Sequence, residues 1–370
     1  MARKNKIRIL MVCTVPTERN GISNVIFNLL GCLNGENLKF GYVAINTLPA
    51  YYEERLRNLN VDLFIIHRKI SSPLRYIREL ARVAKKYDII HVHGNSATML
   101  LEMIAARLAG VKLRIAHSHN TMCTMKCIDK ICRPLFYAMC NARLSCGKLA
   151  GMWLFGNRDY TVINNGIDVR RYSYDSYERM RMRTNLSIEK CKVIGHIGNF
   201  VEQKNHKFII QIFFMITQKD PTARLLLLGD GVLKSSIKDL VNNYGIGDKV
   251  IFAGSVDNVA IYMQTMDIMI LPSIYEGLPL CMIEAQANGL SIIASDVISA
   301  DADLTGNVIF LPLAYGPKLW ADKISEMLPI CSMRDARTSD SAISKIRNAG
   351  YDIRETAKRL TRFYETELEQ

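Results

Sequence analysis

Two glutamates eight positions apart, Glu276 and Glu284, are the side chains in this sequence best placed to do chemistry. They lie in Leu271–Gly289, LPSIYEGLPLCMIEAQANG. An apolar strand over 267–272 gives way to a loop holding Glu276 and Gly277. Pro279 then opens an amphipathic helix that carries Glu284 about a turn and a half in. Gly277 frees the backbone at such a turn, and Pro279 suits a first helical turn. A strand-to-helix turn leaves unpaired N–H groups and the positive end of a helix dipole, which together favour phosphate. Carboxylates only accept hydrogen bonds, so they suit sugar or ribose hydroxyls. Phosphate donors beside hydroxyl acceptors predict a nucleotide-sugar ligand.

Two histidine pairs, His91-Val-His93 and His117-Ser-His119, close two predicted strands. Alternation along a strand aims each pair to one side. One reading is a metal site, since imidazole is a common ligand, and a metal-dependent hydrolase would follow. The other is that one histidine contacts substrate while the rest pack. Cys123, Cys127 and Cys132 are the nearest thiols, and their spacing fits no zinc module.

The elements that must hold these residues alternate in type. Strands are expected at 7–15, 40–46, 62–66, 88–92, 113–116 and 160–164, then again at 191–197, 224–228, 250–253, 267–272 and 291–294. Helices are expected at 22–33, 74–87, 97–109, 206–216, 233–244, 259–266 and 353–369. Alternation of this kind predicts parallel sheets covered on both faces, an α/β class. A chain of 370 residues suits two domains. We divide it into 1–170, 171–350 and a charged terminal helix at 351–370 that packs back across the two. The junction is placed in the charged, irregular stretch 170–190. No run of 18 uncharged apolar residues occurs, so no spanning helix is expected. The basic, then apolar N-terminus reads as a first buried strand rather than a signal peptide. Ten cysteines at irregular spacing suit a reducing cytoplasm.

Charge is distributed unevenly. Residues 1–165 hold 24 Lys and Arg against 10 Asp and Glu, whereas residues 166–370 hold 24 against 25. The first half should therefore meet something anionic. On helix 74–87, Leu74, Ile77, Leu80, Ala81 and Ala84 form an apolar face. Arg75, Arg78, Arg82, Lys85 and Lys86 form a basic stripe, which is either a solvated face or a membrane-surface contact. Residues 122–150 mix Lys126, Lys130, Arg133, Arg143 and Lys148 with Leu135, Phe136 and Met139. They read as an acceptor-facing, membrane-leaning region or as a plain helix with a basic outer face. No nucleic-acid-binding module is recognisable.

Six segments carry a resemblance: DIIHVHG (88–94), IAHSHNT (115–121), VINNGID (162–168), GHIGNFVEQKNH (195–206), LGDG (228–231) and YEGLPLCMIEA (275–285). With these in order, the chain resembles retaining glycosyltransferases of family 4, in the branch of bacterial exopolysaccharide and capsule biosynthesis. The resemblance implies a GT-B fold, two Rossmann-like domains with parallel sheets facing across a cleft. It implies transfer of a hexose or N-acetylhexosamine from a nucleotide-sugar, UDP-linked by analogy with the branch, to a lipid-linked saccharide. The nucleotide-sugar is then a co-substrate, with no metal or other cofactor, and the enzyme works from the cytoplasm, peripheral at the inner face of the membrane.

Residue roles follow from the same resemblance. Glu284 would bind the ribose. Glu276 would contact the donor sugar, and the backbone of the donor-binding stretch Gly277, Leu278, Pro279 and Leu280 would donate to the diphosphate through its N–H groups, which Pro279 lacks. Lys204 would neutralise the leaving group as a point charge. His119 would sit near the transferred sugar and acceptor. Asn20 and Gly21 would form a loop over the diphosphate. The implied mechanism is front-face displacement, with the departing diphosphate helping to deprotonate the acceptor hydroxyl. Two departures stand out. Asn199 occupies a position where the family usually has arginine, so one positive charge beside the diphosphate is missing. Asn20-Gly21 stands where a double glycine is common. A catalytically silent, sugar-nucleotide-binding partner subunit is the alternative that Asn199 supports.

Overall fold

The computed structural model describes residues 6–18, 20–33, 37–66, 71–123, 125–333 and 337–369. The first five residues of the basic N-terminus lie outside them. The chain divides into two compact units, one of residues 1–166 with 350–370 and one of residues 167–349.

In the first unit the strands are β1 (Ile7–Cys13), β2 (Leu38–Ala44), β3 (Asp62–Ile65), β4 (Ile89–Gly94), β5 (Leu113–Ser118), β6 (Ala142–Ser145) and β7 (Thr161–Val162). They form one sheet in the order β3-β2-β1-β4-β5-β6-β7. Every neighbouring pair is parallel. Parallel neighbours need crossovers, whose helices bury both faces of the sheet. Hence β1 is apolar from Ile9 through Cys13, and all five of these residues are fully buried. The order reverses between β1 and β4, and ligands of such sheets gather at the strand C-termini beside that reversal.

The second unit repeats the plan with β8 (Lys192–Ile197), β9 (Ala223–Leu228), β10 (Val250–Gly254), β11 (Ile268–Leu271), β12 (Ser291–Ser295) and β13 (Val308–Leu311). Its order is β10-β9-β8-β11-β12-β13, again parallel throughout. The reversal here falls between β8 and β11.

Several expectations need correction. The stretch 170–190 is not irregular: Ser176–Asn185 is a helix, capped by the Asp175 carboxylate, which accepts from the Tyr177 and Glu178 N–H groups. Its charges are not all solvated. Arg179 and Arg183 both pair with Asp267, which is buried and also accepts from the Val193 N–H at 2.7 Å. That network fixes the helix to the second sheet, so the boundary between units falls at 166/167 instead. Residues 122–150 hold two helices, Lys126–Met139 and Lys148–Phe155, with β6 between them. After 295 the chain adds β13 and the helices Gly316–Cys331 and Asp340–Asn348, where no element was expected. The terminal helix Ile353–Glu369 groups with the first unit. It buries Ile353, Ala357, Leu360 and Tyr364 along one helical face.

Candidate functional site

In the second unit, the loops after β8 and β11 meet at the reversal of the sheet. Lys204 closes the first loop, in a 3-10 turn over Glu202–Lys204. Its ammonium pairs with the Glu276 carboxylate of the second loop. Gln203 reinforces the contact, donating from Nε2 to Glu276 Oε2 at 3.1 Å and to the Tyr275 carbonyl at 3.0 Å. Asn205 is left-handed (φ 56°), and its Nδ2 donates to the Pro272 carbonyl at 3.1 Å. Burial disfavours the Lys204 charge. The Glu276 carboxylate paired with it opposes burial, and the ammonium is held above its ordinary pKa. This lysine is therefore cationic at neutral pH.

Glu284 lies on the helix Leu280–Ala287, just over one turn from its start. Pro279 is the residue before that helix rather than in its first turn, with φ −73° and ψ 109°. Its carbonyl accepts from the Met282 N–H at 2.9 Å. Burial pushes the Glu284 carboxyl up, and the Tyr172 hydroxyl, donating to Oε1 at 2.7 Å, opposes that. Cys281, between the two glutamates, is pushed up to about 12 by burial, so it is a thiol and not a nucleophile. Gly277 is not required by the turn it occupies: a Cβ there meets nothing within 4 Å.

The glycines after β9 are required. Gly229 (φ 139°) and Gly231 (φ 153°) let the LGDG turn close on the loop after β8. A Cβ on Gly229 would stand 2.1 Å from the Gly198 carbonyl oxygen, and one on Gly231 2.7 Å from that of Phe200. Backbone bonds from Gly198 to Leu228 and from Phe200 to Asp230, both 2.9 Å, hold the two loops together. Asn199 sits on this platform, exposed. Lys234 pairs with Asp230 of the same turn at 2.9 Å.

In the first unit, β4 and β5 bring four imidazoles together. Residues two apart share a face, and His93 is in register with His117. His91 Nε2 lies 3.0 Å from His117 Nδ1, and His93 Nδ1 lies 2.9 Å from His119 Nε2. His91 Nδ1 meets the Tyr364 hydroxyl of the terminal helix at 2.7 Å. His91, His93 and His117 are buried and His119 is half-buried. Burial pushes the first three well below the ordinary histidine range and His119 down to about 4, so all four are neutral at pH 7. Ligand atoms of His91, His93 and His117 lie within 4.8 Å of one another. The three cysteines named with them stand outside that group and are free thiols.

Asn20 ends the loop after β1 and caps the helix Gly21–Leu33. Its Oδ1 accepts from the Ser23 N–H at 3.0 Å, and its Nδ2 donates to the Pro16 carbonyl at 2.9 Å. The side chain is thus engaged in holding that helix N-terminus. Sequence reasoning named neither Tyr172, Gln203, Asn205 nor Tyr364. Gln203 and Asn205 lie within the recognised segment 195–206, and Tyr364 lies on the expected terminal helix. Tyr172 is 112 positions from Glu284 and carries no local signal.

Comparison with known proteins follows the same division. Residues 19–171 match the model described as Glycosyltransferase Family 4, and residues 179–328 match Glycosyl transferases group 1. A protein of Bacillus subtilis (strain 168) named as glycosyltransferase EpsF is 30% identical over 83% of this chain and 84% of its own length. The chain belongs to glycosyltransferase family 4. A further relative is the Escherichia coli UDP-Gal:α-D-GlcNAc-diphosphoundecaprenol α-1,3-galactosyltransferase, 24% identical over 79% of this chain and 80% of its own. Among solved structures, Anabaena HepE in complex with UDP-glucose superposes with a TM-score of 0.79 at 15% identity. That match covers 97% of the family 4 chain described here and 100% of HepE. This glycosyltransferase therefore has the GT-B fold, and its two sheet reversals are the places where such a fold keeps its functional loops.

Proposed function

We propose that this glycosyltransferase moves a hexose or N-acetylhexosamine from a UDP-sugar to a saccharide carried on a lipid diphosphate, with retention, in cell-surface polysaccharide synthesis. The observation that carries the reading is the Lys204–Glu276 pair at the reversal of the second sheet, with Glu284 on the helix that follows. Lys204 is the cation for a diphosphate leaving group, Glu276 the acceptor for donor-sugar hydroxyls and Glu284 the acceptor for ribose hydroxyls. The N–H groups from Gly277 to Leu280, except that of Pro279, are assigned to the diphosphate. Leaving-group stabilisation and positioning supply the catalysis, so neither metal nor further cofactor is needed. His119 of the first unit, neutral and half-buried, is assigned to the sugar and acceptor. Support for the lipid diphosphate comes from the Escherichia coli relative's acceptor, and for UDP from that relative's donor and the HepE ligand.

The test is transfer from a panel of UDP- and GDP-sugars to undecaprenyl-diphosphate-linked saccharides, with the anomer of the product read by NMR. Transfer from one UDP-sugar with the donor's anomeric configuration is expected. No transfer from any of them would sink the reading. Asn199 favours a second reading, a silent donor-binding subunit, because its amide adds no charge beside the diphosphate. In that case Asn199→Arg would raise activity from near zero, whereas an active wild type gains at most about tenfold.

A further inference from the structure

Glu284 is engaged at two points by a single residue remote in sequence. Tyr172 is 8% exposed, and its hydroxyl donates to Glu284 Oε1 at 2.7 Å. Its carbonyl accepts from Asn288 Nδ2 at 2.8 Å. Asn288 caps the C-terminus of the helix Leu280–Ala287, four positions after Glu284. Residues at that spacing share a helix face and stand about 6 Å apart along the axis. Tyr172 therefore spans one turn of the helix, its main chain at the helix end and its hydroxyl on the carboxylate.

The backbone that carries Tyr172 is itself tied down. Asn288 Nδ2 also donates to Gln264 Oε1 at 3.2 Å. Gln264 Oε1 accepts from the Asp175 N–H at 3.1 Å, and its Nε2 donates to the Ser173 carbonyl at 2.9 Å. The Asn288 carbonyl accepts from Arg337 Nε at 2.9 Å. Gln264 and Asn288 are both buried, where a lost hydrogen bond leaves a costly unpaired group. Residues 172–175 are thus stitched to two helices, and the Tyr172 hydroxyl arrives from a fixed frame.

One carboxylate oxygen is left over. Tyr172 is the hydrogen-bond partner of Oε1, and among the described residues none reaches Oε2 of the half-buried Glu284. Burial and the Glu284 charge push the Tyr172 hydroxyl well up, so it keeps its proton and stays a donor.

We propose that Tyr172 is a positioning residue of the donor site, which holds Glu284 in one orientation and leaves Oε2 as the oxygen offered to the ribose hydroxyls. The proposal rests on the reading of Glu284 as the ribose acceptor and deepens it. Tyr172 acts through Glu284 and not on the nucleotide. A free glutamate side chain loses rotamer freedom when it binds a ligand. Holding it in place beforehand removes that loss, an effect of about threefold to tenfold in Kd.

The experiment is calorimetric titration of the full-length protein and of Tyr172→Phe, which removes the donor and keeps the ring. The ligands are UDP and its 2′,3′-dideoxy analogue, which has no ribose hydroxyl for Glu284 to accept from. UDP is expected to bind Tyr172→Phe about threefold to tenfold more weakly than wild type, and the dideoxy analogue to change by less than about 1.5-fold. The proposal is overturned if Tyr172→Phe binds UDP as tightly as wild type or more tightly. It is also overturned if both ligands weaken by the same factor, the mark of a tyrosine that only holds the fold. The same substitution added to Glu284→Ala should cause no further loss, and a further loss of about threefold or more overturns the proposal again. Wild type that binds UDP no better than the dideoxy analogue refutes the ribose reading of Glu284 itself, which separates that failure from one confined to Tyr172.

Discussion

Lys204 and Glu276, 72 positions apart, form an ion pair where the loops after β8 and β11 meet. Both side chains are largely sequestered, 16% and 8% exposed. The pair keeps the lysine charged and in place without a ligand. On the proposed reading, an arriving diphosphate would compete for the ammonium and so release the carboxylate toward sugar hydroxyls. That reading couples the two roles.

Removing one partner should cost more than losing one contact. Lys204→Ala leaves Glu276 largely buried without its cation. We expect kcat/KM to fall by about 10²-fold or more, and stability to drop by about 3 kcal/mol. In a double-mutant cycle, Lys204→Ala with Glu276→Ala should be less destabilising than the sum of the single changes. Urea denaturation of the four proteins checks this, and additive effects would mean that the pair does not act as a unit.

Glu284 has its folded pKa raised by burial, so its carboxylate is less comfortable in the protein than in the unfolded chain. A raised pKa gives stability that is present below the unfolded value, 4.5, and is lost as pH rises through the folded one. Glu284→Gln should therefore match or exceed wild type in melting temperature at pH 7, with the advantage gone at pH 4. It should still accept from Tyr172. Binding of UDP should weaken roughly tenfold to a hundredfold, because hydrogen bonds to a charged acceptor are the stronger kind.

Two glycines with similar motif standing should behave oppositely. Gly229→Ala forces a Cβ to within 2.1 Å of a backbone oxygen at φ 139°. It should lower stability by about 2–3 kcal/mol and raise the KM for donor by shifting the Asn199 loop. Gly277→Ala has open space around it and should change stability by less than about 1 kcal/mol.

The histidine cluster makes the first unit acid-sensitive. Folded His91, His93 and His117 stay neutral well below 6.5, where the unfolded chain takes up protons. Their contribution is full above pH 6.5 and is lost as pH falls below it, by up to about 1.4 kcal/mol per pH unit for each. His117→Leu should be less stable at pH 7.5, since it strands His91 Nε2. Its further loss between pH 7.5 and 5.5 should nonetheless be smaller than in wild type by about 1 kcal/mol. Urea midpoints at the two pH values decide it.

Much of this site was legible because its residues sit on strong local patterns. Apolar runs ending in Gly, Pro or His placed β4, β5, β8 and β11, and their C-terminal ends are where a doubly wound sheet works. Glu276, Lys204 and His119 lie just past such an end, and Glu284 lies on the helix that follows β11. The four-residue β6 was hidden, because ARLS is too short to show a period. The helix Ser176–Asn185 was hidden because two of its arginines answer to a buried Asp267, a tertiary partner that makes a charged stretch look irregular. Pro279 was read one position too far into its helix, an error within the usual uncertainty of helix ends. Tyr172 was beyond reach, since its link to Glu284 exists only once the sheet has formed.

The most direct measurement is calorimetric titration of UDP and GDP into the wild-type protein and into Glu284→Ala and Lys204→Ala. Saturable binding of UDP in preference to GDP, weakened at least tenfold in each variant, is what this account predicts. No binding, a preference for GDP, or UDP binding that neither variant alters would contradict it.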